Sequence, residues 1–366
     1  MQTSRQQMKI IHDGPDELLD PLAMTSSGFM AAAMKRGISR PVALEHYRDH
    51  HQLGRCDAEW IRPALSAPSM LRRDDTTIKF LMDLEENTLQ TESVLIPMTG
   101  STGRTTTTLC LSSQVGCAMG CRFCQTGRMG LLHDLQPRQI VGQWHAARHH
   151  LGHVIKNIVF MGMGEPTDNI EAVIQSIRIL ADHHGPAIAP RNITVSTVGN
   201  PRGIQRLSEL AAEDGFHRLN LAVSINAPND RIRSEIMPVN RAWSMAELKQ
   251  VLLAWPLRPS GRFCIEYVLI PGVNDGMDDA DELCRYLDDI PCTLNIIPYN
   301  PIDDSPWPAP EQSVVDRFIE RTIRHGQFTK RRKTKGRATM AACGQLGNTN
   351  LSRPSRRRSM LQDEGN

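Results

Sequence analysis

Thr-Thr-Leu-Cys-Leu-Ser-Ser-Gln-Val-Gly-Cys-Ala-Met-Gly-Cys-Arg-Phe-Cys, residues 107–124, joins a short apolar run to three cysteines crowded into eight positions. The run (107–112) has the length and bounding of a buried strand, and Cys117, Cys121 and Cys124 follow it almost at once. Downstream the texture repeats, with apolar runs at 157–161, 193–196, 219–225, 263–270 and 293–298. Amphipathic stretches near 136–150, 169–183, 202–213, 245–255, 278–289 and 311–325 follow them. Six strand–helix units in series predict parallel strands, each followed by a crossover helix. The expected fold class is therefore α/β, with a partial (βα)6 barrel. In such a barrel chemistry gathers at the C-terminal ends of the strands. The unusual residues fall there: Gly-Met-Gly-Glu-Pro (162–166), Ser-Thr-Val-Gly (196–199), Ser-Ile-Asn-Ala-Pro-Asn-Asp (224–230) and Pro-Tyr-Asn-Pro (298–301). Any one of these clusters suits an ordinary turn; their gathering at one barrel face is the informative part.

Working outward, residues 1–75 are polar and helix-leaning and read as an N-terminal accessory region. Residues 76–100 read as a β-hairpin, because 76–84 and 91–97 flank the turn-prone Glu-Glu-Asn at 85–87. Gly100 to Thr108 is Thr/Gly-rich and is expected to be a loop or insertion. The core then spans 101–326, and 327–366 forms a basic C-terminal segment. His46 with His50, and His145 with His149, stand at helical i, i+4 spacing; without a Cys or acidic partner they read as ordinary exposed helix faces.

The composition is that of a soluble globular protein: 366 residues, 40% apolar, 22% charged, with aromatics thin at 5%. No run approaches the ~18 consecutive apolar residues of a membrane helix, and no hydrophobic leader opens the chain, so a cytoplasmic, membrane-free enzyme is expected. The net charge of +2 hides an asymmetry. From Arg321 to Arg358 there are twelve Lys/Arg and no Asp/Glu, while the first 320 residues carry a net −8. Such a strip suits a polyanion, RNA or DNA, although a solvated tail is the plain alternative.

The three cysteines make a C-x3-C-x2-C loop. Three thiolates on one tight loop can grip three corners of a cubane, whereas a 4Fe–4S cluster ordinarily takes four. One iron then keeps an open position for a substrate or cofactor. Structural zinc would need a fourth ligand and usually arrives as two C-x2-C pairs. No second pair exists; Cys264, Cys284 and Cys292 are dispersed and read as core residues.

The loop, its place in the repeat and the Gly-Met-Gly-Glu-Pro segment resemble the radical S-adenosylmethionine (SAM) superfamily. The string from Cys110 to Gly127 closely resembles the RNA adenosine methyltransferases of the RlmN/Cfr family. So do Leu-Ala-Val-Ser-Ile-Asn-Ala-Pro-Asn-Asp (221–230), Ile-Pro-Tyr-Asn-Pro (297–301) and Arg-Lys-Thr-Lys-Gly with Ala-Ala-Cys-Gly-Gln-Leu (332–346). The likeness spans about 76–346; the first 75 residues do not carry the family's pattern. It implies a radical SAM barrel with a 4Fe–4S cluster on Cys117, Cys121 and Cys124, and S-adenosylmethionine bound at the unique iron. Gly164 and Glu165 would meet the amino-acid end of that cofactor; Ser196, Ser224, Ile225, Asn226 and Asn300 would line the rest. The resemblance further implies that Cys343 accepts a methyl group, that Glu92 is the proton acceptor, and that Cys110 resolves the RNA–protein adduct through a transient disulfide with Cys343. Without the resemblance, Glu92 reads as an exposed hairpin carboxylate and Cys110 as a small core hydrophobe. Asn226 replaces the family's usual His, and Gln125 its usual small residue.

Methylation of an RNA adenosine at ring position 2 is the expected reaction, with 23S rRNA and tRNA as candidate substrates and an electron donor such as flavodoxin as partner. A monomer is expected. Position 8, as in the Cfr branch, is the nearest rival. A non-catalytic RNA-binding Fe–S paralogue, or a radical enzyme acting on peptides or small molecules, belongs to a different class.

Overall fold

The alternating runs become one continuous sheet with helices packed along it in a computed structural model that describes residues 18–84, 89–99, 103–332 and 344–347. Helices α1 (Ser26–Lys35) and α2 (Arg40–Arg48) come first, followed by strands β1 (Met70–Asp74), β2 (Thr77–Asp83), β3 (Gln90–Thr99), β4 (Thr105–Cys110) and β5 (Gln114–Cys117). Next come α3 (Gln125–Met129), β6 (Gly130–Asp134), α4 (Pro137–His145), β7 (Ile155–Phe160), α5 (Ile170–Ala181), β8 (Ile193–Thr197), α6 (Pro201–Ala212) and β9 (Asn220–Ser224). The chain continues through α7 (Asp230–Ile236), α8 (Met245–Leu253), β10 (Phe263–Leu269), α9 (Met277–Leu287), β11 (Cys292–Pro298), α10 (Gln312–Arg324) and β12 (Thr329–Arg331).

Ten strands hydrogen-bond in the order β1-β2-β3-β4-β7-β8-β9-β10-β11-β12, and β5 pairs with β6 apart from them. Pairing is antiparallel from β1 to β4 and parallel from β4 to β12. Neither edge strand pairs with the other, so the barrel is partial, as expected. The six anticipated runs are β4 and β7 to β11, and their apolar residues, with those of α4, α5, α6, α8 and α9, form one buried core. Local signals set the helix starts. Asn200 accepts from the N–H groups of Arg202 and Gly203 ahead of Pro201, and Ser244 with Glu247 forms a capping box at α8.

Four features differ from the sequence reading. Thr105–Thr108 is strand, not loop: β-branched threonines fit a half-buried pleat even where Gly and Thr suggest a turn. A further strand, β1, precedes the hairpin inside the expected accessory region, and β12 extends the parallel sheet inside the basic segment. Both are short and mostly exposed, so no apolar period announced them. The histidine pairs are not exposed faces. His50, His51 and His145 are buried, and His50 and His145 lie 5.1 Å apart by ring centroids.

These histidines join two layers. Residues around α1 and α2 have their own small core of Leu19, Phe29, Ala33, Ala43, Tyr47 and Ile61, which docks on α4 and α5. The His145 Nε2 lies 3.2 Å from the His50 carbonyl and the His149 Nε2 lies 2.9 Å from that of His51. Arg138 of α4 pairs with Asp20 at 3.0 Å, and the Ser26 N–H donates to Asp182 at 2.6 Å.

Candidate active site

The cluster loop is built between β5 and α3. Cys117 closes β5, the Cys124 N–H donates to the Cys121 carbonyl at 3.1 Å, and the Arg122 N–H donates to the Ile236 carbonyl at 2.9 Å. All three thiols line one cavity at the C-terminal ends of the parallel strands, with about 1220 Å³ of open space that is partly continuous with solvent. None of the three is in a disulfide. Burial pushes the Cys117 and Cys121 thiols up, and the Arg233 charge only partly offsets this at Cys121. Thiolates in so dry a place need a cationic partner, which a metal centre supplies. Among the described residues no three His, Cys, Asp or Glu side chains already converge as ligands of a single ion. The donor set fits a thiolate-held cluster: three sulfurs on one short loop, facing a cavity large enough for a second ligand.

Strand ends form the opposite wall. Gly164, Glu165, Ser196, Ser224, Asn226 and Asn300 all line the same cavity. Gly164 has a φ of +99°, and a Cβ there would stand 2.5 Å from the Gln114 Cβ, so the backbone approaches that side chain as only glycine allows. Glu165 is buried, and its carboxylate is already committed. Oε1 accepts from the Thr167 N–H and hydroxyl at 3.1 and 2.5 Å, and Oε2 accepts from the Val198 N–H at 3.0 Å. Burial raises its pKa against the pull of these donors. The carboxylate thus ties the β7 end to the β8 end. Asn226 sits at φ +57°, a left-handed conformation that Asn tolerates better than most residues. Its Oδ1 accepts from the Val268 N–H at 2.9 Å, and its Nδ2 donates to the Met237 sulfur at 3.3 Å. The amide therefore ties the residues after β9 to β10 on one side and to the segment after α7 on the other. Ile225 is placed differently from its neighbours: its side chain is in the core, outside the cavity lining.

The third part of the cavity comes from the hairpin and the C-terminal segment. Cys110, the last residue of β4, lines the cavity. Cys343 lies outside the described residues, but Gly344 and Leu346 also line the cavity. Four hydrogen bonds seat this peptide. The Gln125 N–H donates to the Gly344 carbonyl (2.7 Å), the Thr126 hydroxyl to that of Leu346 (2.5 Å), the Gln345 amide to that of Pro301 (3.1 Å), and the Gly347 N–H to Glu92 Oε2 (3.0 Å). Glu92 is thus not an exposed hairpin carboxylate. It is buried, 2.7 Å from Lys79 Nζ, against the peptide that follows Cys343. Where β12 ends, Arg332 pairs with Glu266 of β10, and both line the cavity.

Several supporting residues carried no signal in the sequence. Arg233 of α7, fully buried, donates to the carbonyls of Val198, Ser224 and Ile225 and to Asn240 Oδ1. It thereby satisfies the loose carbonyls at two strand ends. Asn274 donates to the Asn226 and Val268 carbonyls at 2.7 and 2.8 Å. Gln114 accepts from the Glu165 N–H at 2.8 Å. A polar residue after a strand looks alike whether it faces solvent or braces a site.

Comparison with known proteins agrees with this geometry. The radical SAM superfamily pattern matches residues 111–287. A protein of Protochlamydia amoebophila named "Probable dual-specificity RNA methyltransferase RlmN 1" is 43% identical over 280 residues, 76% of this chain and 75% of that protein. The dual-specificity RNA methyltransferase RlmN of Nitratidesulfovibrio vulgaris is 42% identical over 284 residues, 76% of each chain. The crystal structure of a radical SAM methyltransferase from Sphaerobacter thermophilus superposes with a TM-score of 0.81 at 33% identity, covering 90% of this chain and 99% of that one.

Proposed function

The chain belongs to the radical SAM superfamily and, within it, to the RlmN family of RNA methyltransferases, and we propose that it methylates an adenine ring carbon in RNA through a methyl group carried on Cys343. Its cofactors are a 4Fe–4S cluster and S-adenosylmethionine. Cys117, Cys121 and Cys124 would hold the cluster, and Gly164, Ser196, Ser224, Asn226 and Asn300 would line the place of the S-adenosylmethionine. Bound there, the pair supplies a 5′-deoxyadenosyl radical able to take hydrogen from an unactivated methyl group.

The remaining work falls to the chain's own residues. An adenine ring carbon is not nucleophilic, so polar methyl transfer does not reach it and a carbon first carried on sulfur suits the task. Glu92 would receive the ring proton, and the Cys110 thiolate would attack the Cys343 sulfur to free the methylated base. The observation that carries this reading is the seat of residues 344–347: the residue following Cys343 lines the same cavity as Cys110 and the three cluster cysteines. RNA is the substrate; ring position 2, 23S rRNA and tRNA are the finer reading, and an external one-electron donor such as flavodoxin would be the partner. The domain reading is an accessory region, a hairpin, a core and a basic segment with Cys343, with β1 pairing onto the hairpin from before residue 75 and β12 onto the core sheet from beyond residue 326. Among the described residues no helix is long and apolar enough to cross a membrane.

The test is to incubate the reduced holoprotein with methyl-labelled S-adenosylmethionine without RNA, and to locate the label by peptide mass spectrometry. Label on Cys343, absent in a Cys343→Ala variant, is expected. An unlabelled Cys343 beside a fully loaded cluster would remove the mechanism. Mass spectrometry of digested RNA then separates ring position 2 from position 8.

A further inference from the structure

We propose that Lys79 sets the proton affinity of Glu92, making it a positioning residue for removal of the ring proton; the inference rests on the reading of Glu92 as the proton acceptor. Antiparallel register pairs Leu81 with Glu92, Lys79 with Val94, and Val94 with Cys110. Paired residues share a sheet face, so Lys79, Leu81, Glu92, Val94 and Cys110 stand together on the side where Val94 and Cys110 line the cavity. Ser93 points the other way and donates to Gln143 of α4 at 2.6 Å.

Lys79 Nζ lies 2.7 Å from Glu92 Oε2, with the two side chains only 6% and 8% exposed. The Gly347 N–H reaches the same oxygen at 3.0 Å. An ammonium in contact with a carboxylate favours the ionised form of both. The other titratable groups on this face are the Cys110 thiol of β4, Arg72 of β1, exposed and paired across the sheet with Lys79, Asp74 opposite Thr77, and Asp83, exposed at the far end of β2 and hydrogen-bonded to Gln90. Neither β5 nor the 344–347 peptide brings a charged side chain. Lys79 is thus the one cation the described elements around Glu92 place in contact with it.

In the proposed step the ring carbon–hydrogen bond breaks, its electron pair stays with the ring, and the proton forms an O–H bond on Glu92. The ammonium beside the new acid lowers its hold on that proton, which passes to solvent and restores the pair.

A brace between β2 and β3 would show the same contact, so the test must read protonation. Infrared titration of the holoprotein, with Glu92→Gln identifying the Glu92 band, gives the carboxyl's midpoint directly. In K79M that midpoint is expected to rise by at least about one pH unit, and in K79R to stay near the original. The acid limb of RNA methylation should move with it, a roughly tenfold loss at a pH on the limb, with the plateau changed far less. An unmoved midpoint, or equal loss at every pH with an unmoved limb, would reduce Lys79 to a brace. If K79M does not fold, K79Q keeps a donor without the charge and must show the same shift. An E92Q enzyme that still methylates RNA at the original rate would defeat the proton-acceptor reading while leaving the infrared result standing.

Discussion

Gly164 shows how much one missing carbon supports. A side chain there meets both the Cβ and the N of Gln114, at 2.5 and 2.8 Å, in a backbone conformation L-residues avoid. Gln114 in turn accepts from the Glu165 N–H and donates to Asp134 at 2.6 Å. Gly164→Ala should therefore lower stability by about 1–3 kcal/mol and weaken S-adenosylmethionine binding while the cluster still assembles. Thermal melting, equilibrium dialysis and iron content check this; unchanged binding would show that the loop shifts freely. Asn226 makes the complementary case. The resemblance suggests that His would serve here, yet both ends of this amide are engaged. Asn226→Ala should destabilise the protein by about 1–3 kcal/mol, because the Val268 N–H loses its acceptor, and a melting temperature equal to the parent's would refute that.

At the scale of elements, the junction of the α1–α2 layer with α4 is built on imidazoles that dislike charge. Burial lowers the pKa of His50, His51 and His145 from 6.5 to about 3, and the neighbouring histidines and Arg138 push the same way at His50. In an unfolded chain these rings titrate near 6.5, so between that value and about 3 the unfolded state binds protons that the fold refuses. Their stabilisation is complete above pH ~6.5 and declines as pH falls, by at most about 1.4 kcal/mol per histidine per pH unit. Urea unfolding at pH 7.5 and pH 5.0, followed by Trp60 and Trp144 fluorescence, should show the loss, and His50→Leu should flatten it. Stability independent of pH across that range would contradict the buried, neutral assignment.

At the scale of the whole molecule, the βα repeat was legible because six apolar runs and six amphipathic helices kept their periods, and the thiol loop because its spacing is rare. The histidine junction was not. Burial there is decided by α2 meeting α4 across nearly a hundred residues, and helical spacing alone cannot tell a covered face from a bare one. Glu92 was misplaced for the same reason: an isolated hairpin would expose it, but β3 pairs on both sides and residues 344–347 lie against it. Arg233 and Asn274 gave no signal, since their task is to satisfy carbonyls that exist only once the strands end together. The basic strip is a property of the sequence as a whole, most of it outside the described residues. Replacing Arg353, Arg356, Arg357 and Arg358 with Ala should weaken RNA binding and make the slope of log K against log salt shallower by up to about 3, at about 0.7 per lost single-strand contact. A slope unchanged by the four substitutions would leave the strip as a solvated tail. A ring of strands closed on itself has no edge, and its interior is packed with side chains. Among the described residues β1 and β12 do not pair with each other, so the sheet is not closed into a ring. A folded polynucleotide need not be threaded: one nucleotide turned out of its stack can enter while the rest of the chain stays outside.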